Sequence, residues 1–193
     1  MRLWAYYPEQ NKWEFMTASE PRKSPAAILE YIPEIAGSFY YSATHLQTGC
    51  FRSSSKDWIS EKVAKSRDAF NANPNLPQRE AVCAYDARHQ ILVVHHGGGM
   101  HKDKPVSKRT YHYDIKSRRW VKVLDSSEGP MGYDNRTPMV YDSISGRHFI
   151  VEKDALWSYA VDQTRWTRHD PSGAQLDSRR PYMACYNPEY NVL

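Results

Sequence analysis

Residues 91–120 read ILVVHHGGGMHKDKPVSKRTYHYDIKSRRW, and this stretch decides the fold. An apolar run leads into three glycines, and Tyr113 is followed seven positions later by Trp120. Five of the six residues between the two rings, DIKSRR, are polar, which is typical of a tight turn between two strands. The stretch therefore predicts a hairpin that carries one large ring on each strand.

The same spacing of an aromatic residue and a tryptophan recurs along the chain. Four of the six tryptophans in these 193 residues follow an aromatic residue by seven positions. The pairs are Tyr6–Trp13, Phe51–Trp58, Tyr113–Trp120 and Tyr159–Trp166. Successive pairs begin 45 to 62 residues apart, so we interpret the chain as an array of similar units.

A second hairpin pattern alternates with the first. It consists of a short apolar run, a tyrosine with a polar turn, and another apolar run, and it is clearest in AVCAYDARHQILVVHHGGG at residues 81–99. Its four tyrosines are Tyr31, Tyr85, Tyr141 and Tyr186. Each unit therefore contains four short strands, and no helical periodicity interrupts them.

These patterns resemble the kelch repeat, one blade of a β-propeller in the kelch and galactose oxidase central-domain-like superfamily. The match is best where ILVVHHGGG precedes Tyr113 and Trp120, whereas other units keep the ring pair and lose the glycines, as in SFYYSAT and FIVEKDA. The resemblance implies an all-β, kelch-like β-propeller of about four four-stranded blades, or a partial propeller. It says little about activity, because propellers host many unrelated functions.

We expect one propeller domain over residues 1–193. The expected units are a part-blade at 2–16, blades at 25–62, 79–124 and 136–168, and a part-blade at 180–193. Three arrangements stay open. The two part-blades pair and close a four-bladed ring, the chain is a fragment of a longer propeller, or a second chain completes the ring as a homo-oligomer.

Composition is ordinary for a soluble globular protein, with 40% hydrophobic and 25% charged residues. The net charge of +4 is a mild excess that does not by itself indicate nucleic acid, which we do not expect as a partner. No apolar stretch approaches the roughly 20 residues that span a bilayer. The beginning MRLWAYYPEQ lacks the apolar region of a signal peptide, and the compartment stays open.

The three cysteines indicate neither a disulfide framework nor a redox centre. Their number is odd, and Cys50, Cys83 and Cys185 have no metal-ligand spacing. Cys83 and Cys185 precede Tyr85 and Tyr186 in equivalent places, so we expect both in the core.

In three units an arginine stands just before the innermost strand, five or six residues ahead of the tyrosine in that strand. These arginines are Arg79, Arg136 and Arg180. If the inner strands line a channel, the three guanidinium groups surround its mouth. Each planar guanidinium can bind a carboxylate through two parallel hydrogen bonds. His96, His101 and Lys104 are expected at the rim of the same binding site. The alternative is that each arginine pairs with an acidic residue of the next blade and only ties the blades together.

The sequence predicts no cofactor and no metal. His95, His96 and His101 surround the glycine run, but strand alternation points His95 and His96 to opposite faces. The chain has no H-E-x-x-H motif, no nucleophile elbow and no phosphate loop.

The leading hypothesis is a non-enzymatic binding scaffold. Its ligand is a protein segment or a glycan, with an anionic one favoured, on the face formed by the loops at 63–79 and 97–110 and at the channel mouth. The resemblance leaves open a propeller enzyme of the galactose oxidase-like or sugar-acid isomerase type, and Cys50, Tyr111 and His112 are then candidates for an oxidase site. A third possibility is a structural part of a larger chain or assembly.

Overall fold

The structure is a computed structural model that describes residues 3–17, 27–66, 68–69, 73, 76–77, 81–96, 108–125, 128–130, 138–152, 155–170, 172 and 184–193. Contacts divide the chain into two compact units, residues 1–72 and 73–193, and each is described by itself. Within these described ranges, no helix has both the length and the apolar character needed to cross a membrane.

The first unit contains two antiparallel sheets whose strands pair in chain order. Sheet I has two strands, β1 (Leu3–Tyr7) and β2 (Lys12–Thr17). Sheet II has four strands, β3 (Ala27–Ile32), β4 (Gly37–Ser42), β5 (Gln47–Arg52) and β6 (Asp57–Lys62). Short 3₁₀ turns at Pro8–Gln10 and Pro33–Ile35 join β1 to β2 and β3 to β4.

The second unit contains two four-stranded antiparallel sheets of the same order. Sheet III consists of β7 (Ala81–Asp86), β8 (Ile91–His96), β9 (Arg109–Asp114) and β10 (Arg119–Asp125). Sheet IV consists of β11 (Met139–Asp142), β12 (Arg147–Val151), β13 (Leu156–Ala160) and β14 (Arg165–His169). After them, residues 184–193 form a turn closed by an isolated bridge between Asn187 and Val192.

The predicted all-β fold of four-stranded units is confirmed. Three sheets have four strands in meander order, the fourth has two, and among the described strands the sheets are separate and open. This is a blade-based, β-propeller-like arrangement, as in a partial propeller.

The predicted ring-bearing hairpins are also present. In every pair the aromatic residue and the tryptophan are direct cross-strand partners. Their ring centroids lie 5.0 to 5.2 Å apart. Side chains directly opposite each other on an antiparallel pair contact on one face of the sheet, so each pair fixes the register of its hairpin.

Nine of the turns that the structure describes contain one residue in the left-handed backbone region, five positions after an aromatic residue. Within the described residues, all positive φ angles occur at this turn position. The residues are Asn11, Ala36, Leu46, Lys56, Gln90, Arg118, Gly146, Thr164 and Asn191. Only Gly146 is a glycine, so the other eight turns hold a side chain in a conformation that L-residues adopt at a cost.

In five of these turns a short polar side chain stabilises the bend. The residue just after the aromatic one accepts a hydrogen bond from the backbone N–H three positions further on. The accepting residues are Ser42, Asp86, Asp114, Asp142 and Asn187. This local bond satisfies a backbone donor that the ladder leaves free, which is why Asp, Asn and Ser suit the position.

The core of the second unit forms where sheet IV packs on sheet III. Ala84 and Val93 of sheet III contact large side chains of sheet IV. These are Met139, Ile150, Tyr159 and Trp166. Small residues on one sheet therefore accommodate rings from the other, as close packing of two faces requires.

The prediction for the cysteines is wrong for Cys185. Cys83 is half-buried on β7, but Cys185 is exposed, and the cysteines that the structure describes are free thiols. Cys185 lies in the described segment 184–193, which forms an isolated bridge and is not a strand of any of the four sheets.

Truncation of the tryptophans should reveal which pairs are buried. We expect Trp166→Ala, at a residue only 4% exposed, to lower the free energy of unfolding by about 3–5 kcal/mol. Trp13→Ala removes the same type of partner at a residue 63% exposed and should cost less than about 1 kcal/mol. Urea titration followed by circular dichroism measures both, and equal losses would contradict this account of the core.

The left-handed turn residues should also be measurable. Ala36→Gly relieves the strain at φ 44° on an exposed residue and should raise the free energy of unfolding by about 0.5–1 kcal/mol. The reverse change, Gly146→Ala, should lower it by about 1 kcal/mol or more, because φ is 68° and the new methyl meets the guanidinium of Arg88. Thermal melts of the two variants with the parent test this, and shifts in the same direction would count against it.

Candidate functional site

The predicted binding residues fall almost entirely outside the described residues. Arg79, His101, Lys104, Arg136 and Arg180 all lie there. Of His96 the structure gives the backbone, as the last residue of β8, paired with Ala81 and Arg109. The channel-mouth site therefore stays a prediction.

A different group of titratable side chains lies between sheets III and IV, and we call it the polar seam. It brings together residues of β7, β8, β9 and the β7–β8 turn with residues of β11, β12, β13 and the β13–β14 turn. Its members are Asp86, His89, His95, His112, Tyr141, His148, Tyr159 and Asp162. Strand alternation places His95, His112 and Asp86 on the face of sheet III that also carries Ala84 and Val93.

Asp86 lies at the centre of the seam and is fully buried. Its carboxylate accepts the backbone N–H of His89 at 3.0 Å and the ring Nδ1–H of His89 at 2.7 Å. The hydroxyl of Tyr141 donates to it from sheet IV. Burial by itself raises the pKa of Asp86, but these hydrogen bonds outweigh it and hold the pKa below its ordinary value.

His89 connects two turns that belong to different sheets. Its Nδ1 binds Asp86, and its Nε2 lies 3.0 Å from Oδ1 of Asp162 in the β13–β14 turn. The hydrogen bond to Asp86 is the main reason why the pKa of His89 is raised above 6.5. A protonated ring donates from both nitrogens, so the charged form of His89 clamps sheet III to sheet IV.

Tyr141 belongs to a motif that occurs twice in the second unit. Burial first, and then the hydrogen bond to Asp86, raises the pKa of Tyr141 to about 12. One repeat further on, the hydroxyl of Tyr186 forms the corresponding hydrogen bond with the carboxylate of Asp142. The same hydroxyl also lies 2.8 Å from Oδ1 of Asn191. In both cases the aspartate that caps an inner turn receives a tyrosine hydroxyl from the next repeat along the chain.

His112 and Tyr159 form a buried pair between the sheets. Nε2 of His112 and the hydroxyl of Tyr159 are 2.8 Å apart. Burial lowers the pKa of His112 to about 4 and raises the pKa of Tyr159. Both groups are therefore neutral at pH 7, and their hydrogen bond compensates for the loss of water around them.

His95 is fixed within the seam by hydrogen bonds that involve both of its ring nitrogens. Its Nε2 lies 3.1 Å from the carbonyl oxygen of Pro130, and its Nδ1 lies 3.1 Å from Oγ1 of Thr110. Because a carbonyl only accepts, a neutral His95 carries its proton on Nε2 and accepts the Thr110 hydroxyl at Nδ1. Thr110 in turn accepts the indole N–H of Trp166 at 2.8 Å, so one chain of hydrogen bonds links β14 to β8.

His148 is the least compensated member of the seam. Its ring is fully buried, and neither nitrogen has a hydrogen bond of ordinary geometry within the described part of the chain. Burial lowers the pKa of His148 to about 4, although the nearby charge of Asp86 and the backbone of Ala84 and Tyr159 act to raise it. The ring is therefore neutral, because a charged imidazole at this position would lose far more hydration than it gains.

The polar seam is suited to joining sheets rather than to exposed chemistry. Its residues do not form a metal-binding group, since no set of three His, Cys, Asp or Glu side chains in the described ranges is placed to hold an ion. Of the oxidase candidates, Tyr111 and His112 are neighbours on β9 and so face opposite sides of sheet III. Cys50 lies on β5 in the first unit.

Sequence reasoning missed the seam, although part of its pattern is visible. The dipeptide Tyr-Asp occurs at 85–86 and 141–142, at the same place in two inner hairpins. A polar residue at a fixed position in each turn suggests a turn cap, and the structure adds that Asp86 also serves the next sheet. His112 and His148 occur within strands, at no recognisable motif, and give no such indication.

The comparisons with known proteins support the fold alone. Neither a protein-family model nor a curated protein sequence matches this chain. Among solved structures, the chain is similar to the one titled "Structure of YjhT", with a TM-score of 0.53 and 13% identity. The match covers 76% of this chain and 50% of the YjhT chain, so this chain spans about half the length of that structure. At this identity the likeness concerns fold and not activity.

The neutral histidines should make the fold sensitive to acid. His112 and His148 have a pKa of about 4 in the folded chain and 6.5 ordinarily, so between these values the unfolded chain binds more protons. Stability should therefore fall as the pH drops from about 7 to 4, by up to about 3 kcal/mol for each histidine. Urea titrations across this range measure the loss.

Two variants separate this effect from other acid-sensitive groups. His112→Gln keeps a partner for Tyr159 but cannot titrate, so its stability should change less between pH 7 and 4 than that of the parent. His89 has a raised pKa, so its contribution is present below pH 6.5 and is lost only as the pH rises. His89→Gln should therefore be less stable but keep the acid slope. A His112→Gln slope as steep as the parent slope would rule out this explanation.

Proposed function

We propose that this chain is a non-enzymatic binding scaffold built from kelch-type blades. The observation that carries the proposal is that the polar seam is largely buried and hydrogen-bonded. Its histidines, tyrosines and aspartates are mostly buried and bonded to one another across two sheets. Such groups support rigidity, and a rigid set of short strands is the kind of framework on which loops bind ligands.

The proposed ligand is a protein segment or a glycan that carries negative charge. Arg79 and Arg136 stand shortly before β7 and β11, and these two strands lie against each other in the second unit. The segments that lead into them therefore belong to neighbouring inner strands. With Arg180 they supply guanidinium groups for carboxylates, and His96, His101 and Lys104 extend the proposed site along the loops.

A direct binding test uses two anionic probes of different class, a hexaglutamate peptide and a short polygalacturonate, followed by isothermal titration at low and high salt. We expect salt-sensitive binding of one probe, weakened at least tenfold in the Arg136→Ala/Arg180→Ala double variant. Arg165→Ala, on an exposed residue of β14, is the matched control and should bind as the parent does.

Several results would overturn the proposal. Unchanged binding by the double variant would remove the arginines from the site. The absence of binding to both probes would favour a structural part in a larger assembly. Stoichiometric copper or iron in the purified protein would favour an enzyme of the galactose oxidase-like type instead.

A further inference from the structure

Sheet I carries four aromatic rings on one face. The register pairs Trp4 with Phe15 and Tyr6 with Trp13, and alternate residues of a strand share a face. The ring centroids are 5.2 Å apart in the first pair and 5.0 Å apart in the second. We call this surface, formed by Trp4, Tyr6, Trp13 and Phe15, the aromatic face.

The aromatic face is open to solvent, unlike the equivalent surface in the second unit. Trp13 is 63% exposed and Trp4 is 50% exposed, with Tyr6 and Phe15 at 44% each. The equivalent pair in sheet IV, Tyr159 and Trp166, is 0% and 4% exposed because it packs on sheet III. An exposed apolar patch of this kind marks an interaction surface more often than a bare surface.

The strand residues of sheet I place their charges on the other face. Lys12 and Glu14 alternate with the rings of β2, and Glu14 forms an ion pair of 2.6 Å with Lys56 of the β5–β6 turn. The aromatic face itself consists of apolar rings and one tyrosine hydroxyl, which donates to Asn11 at 2.8 Å. Two such faces can therefore approach each other without bringing like charges together.

We propose that the aromatic face packs against the same face of a second copy of this chain. A twofold axis brings identical patches together, and an uncharged patch of rings is complementary to itself through offset and edge-to-face contacts. An aromatic side chain buries about 150–250 Å², so four rings that are about half exposed offer roughly 400 Å² per copy. About 800 Å² in total is below the roughly 1,200 Å² of stable interfaces, which makes this a weak, concentration-dependent dimer.

Sedimentation equilibrium of the full chain over about 5–500 µM tests the proposal, since a contact of this size should dissociate at the dilute end. The mass should rise from 22.4 kDa toward twice that value as concentration increases. Trp13→Lys and, separately, Phe15→Lys place an ammonium group in the contact and should stay monomeric throughout. Circular dichroism and thermal melting establish that each variant is folded.

Tyr190→Lys is the matched control, because Tyr190 is a 69% exposed ring outside the aromatic face. This variant should dimerise as the parent does. A parent mass of 22.4 kDa at every concentration would overturn the proposal. If acrylamide then fails to quench the tryptophan fluorescence of that monomer, another part of the same chain covers the aromatic face. A dimer that persists in both lysine variants would place the contact elsewhere and would equally overturn it.

Discussion

A single backbone constraint recurs in nine turns of the described part of this chain. Five positions after an aromatic residue, the chain enters the left-handed region, and eight of the nine residues there are not glycine. The turn reverses the strand so that the aromatic residue meets its partner directly across the pair. These nine turns are local, and within each sheet the neighbouring strands follow chain order.

The contacts between sheets follow from a second constraint, the burial of polar groups. Asp86 is both the cap of its turn and the acceptor for Tyr141 of the next sheet, so one carboxylate ties local and tertiary structure together. A buried charge needs such partners, since an unpaired one costs several kcal/mol. His89 supplies the opposite charge, whereas His112 and His148 remain neutral at pH 7 because burial lowers the pKa of each ring more than the nearby charge of Asp86 raises it.

The same ring pair has different roles in different sheets. Tyr159 and Trp166 close the core of the second unit, where Thr110 and His112 satisfy their polar atoms. Tyr6 and Trp13 have the same register and nearly the same separation, yet they lie in solvent. A repeated motif therefore fixes hairpin geometry everywhere, and the neighbouring surface decides whether it contributes to stability or to association.

The sequence by itself determined the hairpins. The seven-residue spacing of rings, the polar turns and the short apolar runs are local features, and local contacts set strand pairing within a meander. The predicted pairing of Tyr113 with Trp120 across one hairpin is therefore confirmed. The predicted arginines at 79, 136 and 180 lie outside the described residues, and the binding site remains a hypothesis.

Only the tertiary structure decided which surfaces became core. Cys83 and Cys185 occupy equivalent positions in the repeat, yet one is half-buried and the other is exposed. Burial depends on whether another sheet packs over a position, and this contact joins residues far apart in sequence, such as His112 and Tyr159. The pairing of His89 with Asp162 depends on the same long-range packing, which no spacing along the chain encodes.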